Sequence, residues 1–149
     1  MPEYAYNRKA SYDYEFLERY EAGIVLYGFE VKAIKTGHIN LQGSFVNLKG
    51  QELYLTNASI PPYQSKNTPL DYESTRSRKL LLKKEEIKTL AGKIQQKGLT
   101  LVPIRVYTKK GKIKLEFALA KGKKKVDKRK KIAEREAKRK IERALREKL

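Results

Sequence analysis

The most constraining feature of this sequence is an alternation of apolar and polar side chains, with a period of two, on both sides of a glycine turn. Apolar residues predominate from Leu101 to Tyr107, the turn TKKGK follows, and apolar residues then occupy every second position from Ile113 to Leu119. Successive side chains of a strand point to opposite faces, so the pattern predicts a β-hairpin with one buried face. Because proline lacks an N–H, Pro103 predicts an edge or a bulge in the first strand.

Two further segments have a clear pattern. Leu53 and Leu55 fall on one face of NLKGQELYLTNA, which predicts a second hairpin around Gly50. In KKEEIKTLAGKIQQKG the apolar residues have the spacing of one helix face: Ile87, Leu90, Ala91 and Ile94. This spacing predicts a helix packed on a sheet, with Gly98 as its C′ cap.

The remainder of the first 120 residues is less regular. The aromatic-rich stretch up to Ile24 is typical of a strand, whereas residues 28–35 fit a strand or a short helix equally well. Three prolines and little apolar content between Ser59 and Ser77 predict an extended surface loop. Short strands, glycine turns and a packed helix favour a mainly β fold: a small OB-fold-type β-barrel with packed helices.

Basic residues are concentrated at the end of the chain. The formal net charge is +18; residues 1–120 hold 20 basic and 12 acidic residues, whereas residues 121–149 hold 15 and 5. This excess indicates a polyanionic partner, above all nucleic acid. Because apolar side chains become sparse after Leu119, we predict a folded binding core over residues 1–120 and a basic tail over residues 121–149. The tail is rich in helix formers, and we expect it to be disordered alone and helical on a partner.

Several function classes are disfavoured by composition. Without cysteine and with one histidine, His38, the chain predicts no metal site and no cofactor. A run of about 20 apolar residues and a secretory signal are both missing, so no membrane association and a cytoplasmic location are expected. Glu30 and Lys32, with Asp13 upstream, weakly resemble a metal-dependent nuclease, but a surface ion pair explains them more simply. We therefore predict that the chain is not an enzyme.

Two groups of cations are candidates for contacts with nucleic acid. Arg76, Arg78 and Lys79 come directly before an apolar triplet, which predicts that the strand anchors them while they reach phosphates. A solvated basic loop is the alternative. Lys112 and Lys114 share the polar face of the predicted hairpin and form a basic stripe. The ten tyrosines could stack on bases or serve the core.

Five motifs follow one another along nearly the whole chain: NRKA at 7–10, EAG at 21–23, GxEVK at 28–32, RKLLL at 78–82 and ALAKGKK…DKR from 118 to 129. In this order the set resembles the SsrA-binding protein (small protein B) family of bacterial trans-translation. The resemblance implies an OB-fold core that binds the tRNA-like domain of transfer-messenger RNA (tmRNA), without enzymatic activity. It also implies charging by alanyl-tRNA synthetase, transport with elongation factor Tu to stalled ribosomes, and a tail that acts at the decoding centre and 16S rRNA and probes the empty mRNA channel.

The resemblance transfers roles to single positions. Glu21, Leu81 and Lys114 match family positions that bind the RNA, and Lys32 of the third motif joins them as a candidate. The alternative for Glu21 is an ion pair with a neighbouring cation. The complete predicted RNA-binding set is Glu21, Lys32, Arg76, Arg78, Lys79, Leu81, Lys112 and Lys114. The predicted ribosome-acting tail residues are Lys121, Gly122, Lys123, Lys124, Asp127, Lys128 and Arg129.

Two positions depart from the family pattern, and one acidic residue is unexpected. Val126 stands where an aromatic residue or histidine is usual, and Phe29 where threonine or tryptophan is commoner. Asp127 interrupts the basic run; it could cap a helix that begins at Lys128 or accept a specific hydrogen bond on the ribosome. Constitutive binding of ribosomal RNA by an OB protein is the alternative function.

Overall fold

The computed structural model describes residues 3–64, 66, 68–123 and 125–147; in the last range it describes the side chains of residues 129 and 132–146. The elements in chain order are β1 (Glu3–Tyr6), α1 (Arg8–Asp13), β2 (Tyr14–Ile24), α2 (Gly28–Lys35), β3 (Phe45–Lys49), β4 (Glu52–Thr56), β5 (Arg78–Leu81), α3 (Lys84–Lys93), β6 (Leu99–Lys109), β7 (Lys112–Gly122) and α4 (Lys125–Glu147).

Six strands close into a barrel in the order β6, β3, β4, β5, β2, β7 and back to β6, and β1 pairs with a second part of β6. All of these pairings are antiparallel. Closure pairs the edges that an open sheet would leave free. The predicted mainly β barrel with packed helices is therefore confirmed.

Both predicted hairpins are present. β6 and β7 pair from Leu99 and Lys121 at one end to Lys109 and Lys112 at the other. The register shifts just after Pro103, which confirms the predicted irregularity at this proline. The turn between the strands has φ of 51° at Lys110 and 76° at Gly111, the left-handed conformation that a two-residue hairpin turn requires. β3 and β4 form the second, shorter hairpin around Gly50.

The barrel interior holds one apolar core, to which the helices contribute. The inward strand residues include Leu53, Leu55, Leu80, Leu101, Leu115 and Phe117, all almost fully buried. Ile34 of α2 and Leu90 of α3 are completely buried in the same cluster. Residues 28–35, which fitted a strand or a helix, thus form a helix because its apolar side packs on the barrel.

The first motif has a structural role in this fold. The Asn7 side chain caps α1 by accepting a hydrogen bond from the Ala10 N–H, and its backbone N–H donates to the Ile104 carbonyl at 2.7 Å. Its side-chain amide also donates to the Pro103 carbonyl at 3.1 Å. Asn7 therefore fixes α1 to the bulged part of β6.

Two predicted helix boundaries are wrong. α3 ends at Lys93 with Ile94 as its C-cap, so Gly98 is not the C′ cap; it lies, with φ of 85°, in the turn before β6. The intervening residues 95–97 are exposed and polar, so a longer helix would bury nothing. α4 begins at Lys125, so Asp127 is its third residue and cannot be the N-cap of a helix that begins at Lys128. The predicted loop is confirmed, since the described residues from 61 to 77 form turns and irregular backbone.

Candidate nucleic-acid interface

Motifs that are distant in the sequence meet on three neighbouring strands. β2 lies between β5 and β7, and Gly23 is opposite Leu81 on one side and opposite Lys114 on the other. On each strand the adjacent residue points into the barrel and is buried: Ala22 before Gly23, Leu80 before Leu81 and Leu115 after Lys114. Leu81, Lys114, Lys112 and Glu21 therefore share the outer face. We call these four residues the outer patch.

Gly23 lies at the centre of the outer patch, beside the Leu81 side chain. A Cβ atom at this position would lie 3.4 Å from Cδ1 of Leu81, an ordinary van der Waals distance. The Leu81 side chain therefore lies directly against β2 and yet is 54% exposed. An exposed leucine beside lysines offers an apolar surface on which a base or a ribose can rest while its phosphate meets a cation.

Glu21 is the acidic member of the outer patch. Its Oε2 atom accepts a hydrogen bond from the Tyr107 hydroxyl, and its Oε1 atom lies 3.3 Å from Nζ of Lys109. The Tyr107 hydrogen bond, with smaller contributions from Lys109 and Lys114, holds the pKa of Glu21 below its ordinary value. The ion pair considered as the alternative role is present, but a carboxylate accepts about four hydrogen bonds, so acceptor capacity remains.

The predicted basic stripe is confirmed as a feature of the surface. Lys112 is exposed and Lys114 half-buried, whereas Ile113 between them is buried. Lys109 lies opposite Lys112 across the hairpin. In the described part of the chain, no carboxylate lies within 4.0 Å of the ammonium groups of Lys112 and Lys114. Both cations are therefore available to phosphates.

Arg78 does not belong to this surface, and its prediction as an RNA ligand is wrong. Its side chain is 0% exposed, and its Nε donates to Oε2 of Glu30 at 2.8 Å. Its remaining N–H groups donate to the Ala58 and Ser74 carbonyls at 2.8 and 2.9 Å. Since burying an unpaired charge is costly, Arg78 and Glu30 form a buried ion pair that joins β5 to α2.

The same geometry excludes the nuclease interpretation of Glu30. Its two oxygens accept hydrogen bonds from the Tyr27 backbone N–H, the Tyr72 hydroxyl, Arg76 and Arg78. No oxygen is left to face a metal ion or a water molecule. Across the described residues, no three His, Cys, Asp or Glu side chains are grouped closely enough to hold a metal ion.

The other predicted cations lie outside the outer patch or are partly occupied. Lys79, two residues before Leu81, pairs with Glu52 at 2.8 Å, and both side chains are 43% exposed. Arg76 pairs with Glu30 and lies over the Tyr27 ring at 4.2 Å. Lys32 is exposed on α2, where it lines a shallow depression with Phe29, Tyr63 and Gln64.

The model of the SmpB protein family matches residues 4–147. The chain belongs to the SmpB family. Two similar proteins, both called SsrA-binding protein, come from Carboxydothermus hydrogenoformans, with 52% identity over 95% of each chain, and Thermosynechococcus vestitus, with 47% identity over 95% of this chain and 93% of the relative. A solved structure described as "tmRNA-SmpB: a journey to the center of the bacterial ribosome" matches with a TM-score of 0.68 and 46% identity, covering 84% of this chain and 87% of that one.

In this member of the SmpB family, the predicted tail residues begin inside the sheet. Lys121 pairs with Glu15 and Gly122 with Tyr14, at the end of β7. The Lys123 backbone N–H donates to the Asp13 carbonyl at 2.8 Å, and its Nζ lies 3.0 Å from the Ser11 carbonyl. These contacts fix the point from which the tail leaves the barrel.

The remaining tail candidates belong to α4 or precede it. Lys124 lies outside the described residues, as do the side chains of Val126, Asp127 and Lys128. Arg129 and the other described side chains of α4 are exposed. Of the described chain, no helix combines the length and the apolar content needed to cross a membrane.

Sequence reasoning missed two polar residues beside the outer patch of this SmpB-family chain. Tyr107 and Lys109 both contact Glu21, yet they come 86 and 88 positions further along the chain. The alternation in residues 101–107 assigned Tyr107 to a strand but left open which face it occupies. Only the pairing of Tyr107 with Lys114 across the hairpin places it near Glu21.

Proposed function

We propose that this chain binds the tRNA-like domain of tmRNA through the outer patch and delivers this RNA to stalled ribosomes for trans-translation. The observation that carries the proposal is the convergence of Glu21, Leu81 and Lys114, from three separate segments of the chain, on β2, β5 and β7. Membership of a family whose relatives are called SsrA-binding proteins, and the likeness to a tmRNA–SmpB structure, support it.

The positions of the charges support two separate roles for the core and the tail. The core, up to the end of β7, holds the RNA, and the basic helix α4 with its exposed side chains acts on the ribosome, at the decoding centre and in the mRNA channel. Alanyl-tRNA synthetase and elongation factor Tu are then partners through the RNA complex, in the cytoplasm. The protein itself performs no reaction in this scheme: it binds, positions and presents an RNA.

A binding comparison tests the proposal. The full chain should bind the tRNA-like domain of tmRNA more tightly than an ordinary tRNA and far more tightly than a generic RNA duplex. The measurement is fluorescence anisotropy with labelled RNA at several salt concentrations, since counterion release weakens all phosphate contacts as salt rises. If the duplex binds as well as the tRNA-like domain at about 0.2 M salt, the chain is a general RNA binder and the proposal fails.

Replacing Lys114 by alanine is expected to weaken binding to the tRNA-like domain by about fivefold, because one charge-assisted contact to phosphate is lost. The slope of log K against log salt should fall by roughly one unit for that contact. Lys97→Ala is the matched control, since Lys97 is exposed in the turn at the opposite end of β6. Equal losses in the two variants would show that the chain senses total charge and not the outer patch.

A further inference from the structure

Tyr107 is a buried side chain whose hydroxyl is directed at the proposed RNA surface. Its side chain is only 2% exposed, yet its hydroxyl reaches across the intervening strand β7 and donates to Oε2 of Glu21 on β2. The Arg105 guanidinium lies over its ring at 4.5 Å, and Lys114 is its direct partner on β7. The contact with Arg105 therefore fixes the ring of Tyr107, and the hydrogen bond to Glu21 fixes its hydroxyl.

Glu21 lies among cations, so a fixed donor decides which way its carboxylate points. The ammonium group of Lys109 is 3.3 Å from Oε1, and the charge of Lys114 acts on the same carboxylate. Without this donor, Glu21 could pair with Lys114 in addition to Lys109, and the second ion pair would occupy both its remaining acceptor positions and a cation that is available to phosphate. The Tyr107 hydrogen bond uses one lone-pair position of Oε2, and it leaves acceptor capacity on the exposed side.

The chemistry of the group that meets Glu21 follows from its charge. Burial, together with the bond to Glu21, raises the pKa of Tyr107, so its hydroxyl stays protonated and acts as a donor. An ionised carboxylate repels phosphate and accepts hydrogen bonds only from donors such as base N–H groups or ribose 2′-hydroxyls. Glu21 therefore contributes to the choice of RNA, whereas the lysines contribute general affinity.

We propose that Tyr107 is a positioning residue of this interface: it orients the Glu21 carboxylate toward a base or ribose donor and keeps it apart from Lys114. The inference rests on the proposed function. Tyr107 does not itself meet the RNA; it acts through Glu21. Its removal should consequently reduce the discrimination between RNAs without changing the number of phosphates that the protein neutralises.

The test is Tyr107→Phe, which removes only the hydroxyl. We expect affinity for the tRNA-like domain to fall by about five- to tenfold, as for the loss of a hydrogen bond to a charged group. Affinity for a generic duplex and the slope of log K against log salt should stay unchanged. In Glu21→Ala, which removes the acceptor of the hydrogen bond, the same Tyr107→Phe change should have an effect below about twofold, because the two residues act as one unit.

Tyr72→Phe is the matched control. Tyr72 also donates its hydroxyl to a carboxylate, Glu30, at 2.8 Å, but Glu30 lies on α2 and is completely buried, so it cannot meet RNA. This variant should lower the melting temperature and leave the preference between RNAs intact.

The outcomes separate the two proposals. If the unmodified chain shows no preference for the tRNA-like domain, the proposed function fails. If it shows the preference and Tyr107→Phe retains it, or loses affinity equally for every RNA, the positioning role is wrong and Tyr107 has a packing role only.

Discussion

Replacing Arg78 by leucine is expected to lower the free energy of unfolding by about 3–5 kcal/mol, because the change removes the fully buried one of the two arginines, Arg76 and Arg78, that pair with the buried carboxylate of Glu30. Arg78 and Glu30 are both 0% exposed, so water cannot compensate either charge. A loss of this size is a large fraction of the stability of a small domain, about 5–15 kcal/mol. Chemical denaturation monitored by tyrosine fluorescence or circular dichroism measures it directly.

The adjacent residue provides the control for Arg78. Lys79→Leu removes a cation from the same strand, but Lys79 and its partner Glu52 are both 43% exposed. An exposed ion pair of this kind contributes about 0–1 kcal/mol. The Arg78→Leu variant should also regain part of its lost stability when Glu30→Gln is added, because the second change removes the buried charge that has lost its Arg78 partner. Equal effects of Arg78→Leu and Lys79→Leu would contradict the assignment of Arg78 as a buried structural residue.

The ionisation of Glu30 predicts how the stability lost in Arg78→Leu depends on pH. Burial alone would raise its pKa, but hydrogen bonds from Arg76, the Tyr27 amide and Arg78 outweigh burial and hold it below the ordinary value. A lowered pKa in the folded state contributes stability above the unfolded pKa, about 4.3, and this contribution disappears as the pH falls through the folded pKa. The unmodified chain should therefore lose this stability in acid. The deficit of Arg78→Leu should be largest at neutral pH and should shrink below about pH 4, where Glu30 is neutral in the variant.

The parts of the fold that depend on local patterns were predictable from the sequence. The alternation after Leu101, the TKKGK turn and Pro103 specified the longest hairpin and its bulge, because strand period and turn chemistry are local. Closure of the barrel was expected only as a fold class. The pairing of Gly23 with Leu81 and with Lys114 depends on register between distant strands, which no local pattern encodes.

The burial of polar residues was the main failure of sequence reasoning. Arg78 stands in a row of cations, and a count of charges treats it like Arg76 and Lys79. The alternation of RKLL in fact places Arg78 and Leu80 inside and Lys79 and Leu81 outside. The strand period therefore predicts that Arg78 points inward. A buried arginine is physically acceptable only if a buried carboxylate pairs with it, and the sequence alone does not show that Glu30 does so.

A chain that ends at Lys123 is expected to retain affinity for the tRNA-like domain to within about threefold at 0.2 M salt while losing peptide tagging completely. All four residues of the outer patch lie in strands that are complete by Gly122. The segment removed, residues 124–149, holds 13 basic and 5 acidic residues, so binding to any RNA should weaken at low salt. A cut after Ala120 is less suitable, because it also removes Lys121 and Gly122, which pair with Glu15 and Tyr14 of β2.

The control for this truncation is a full-length chain with residues 124–149 in scrambled order. It preserves the charge of the tail, so its RNA affinity should equal that of the unmodified chain at every salt concentration, whereas the order of residues in α4 is lost. Tagging is measured on ribosomes stalled at the end of a truncated mRNA, with tmRNA already charged with alanine. If the scrambled chain supports tagging, the tail acts by charge alone. If the truncated chain loses most of its RNA affinity at about 0.2 M salt, the tail is part of the RNA site. If both chains bind the RNA but do not support tagging, RNA binding belongs to the barrel and tagging to the tail. The structure gives the reason: the barrel holds its lysines on paired strands, whereas α4 presents its described side chains to solvent.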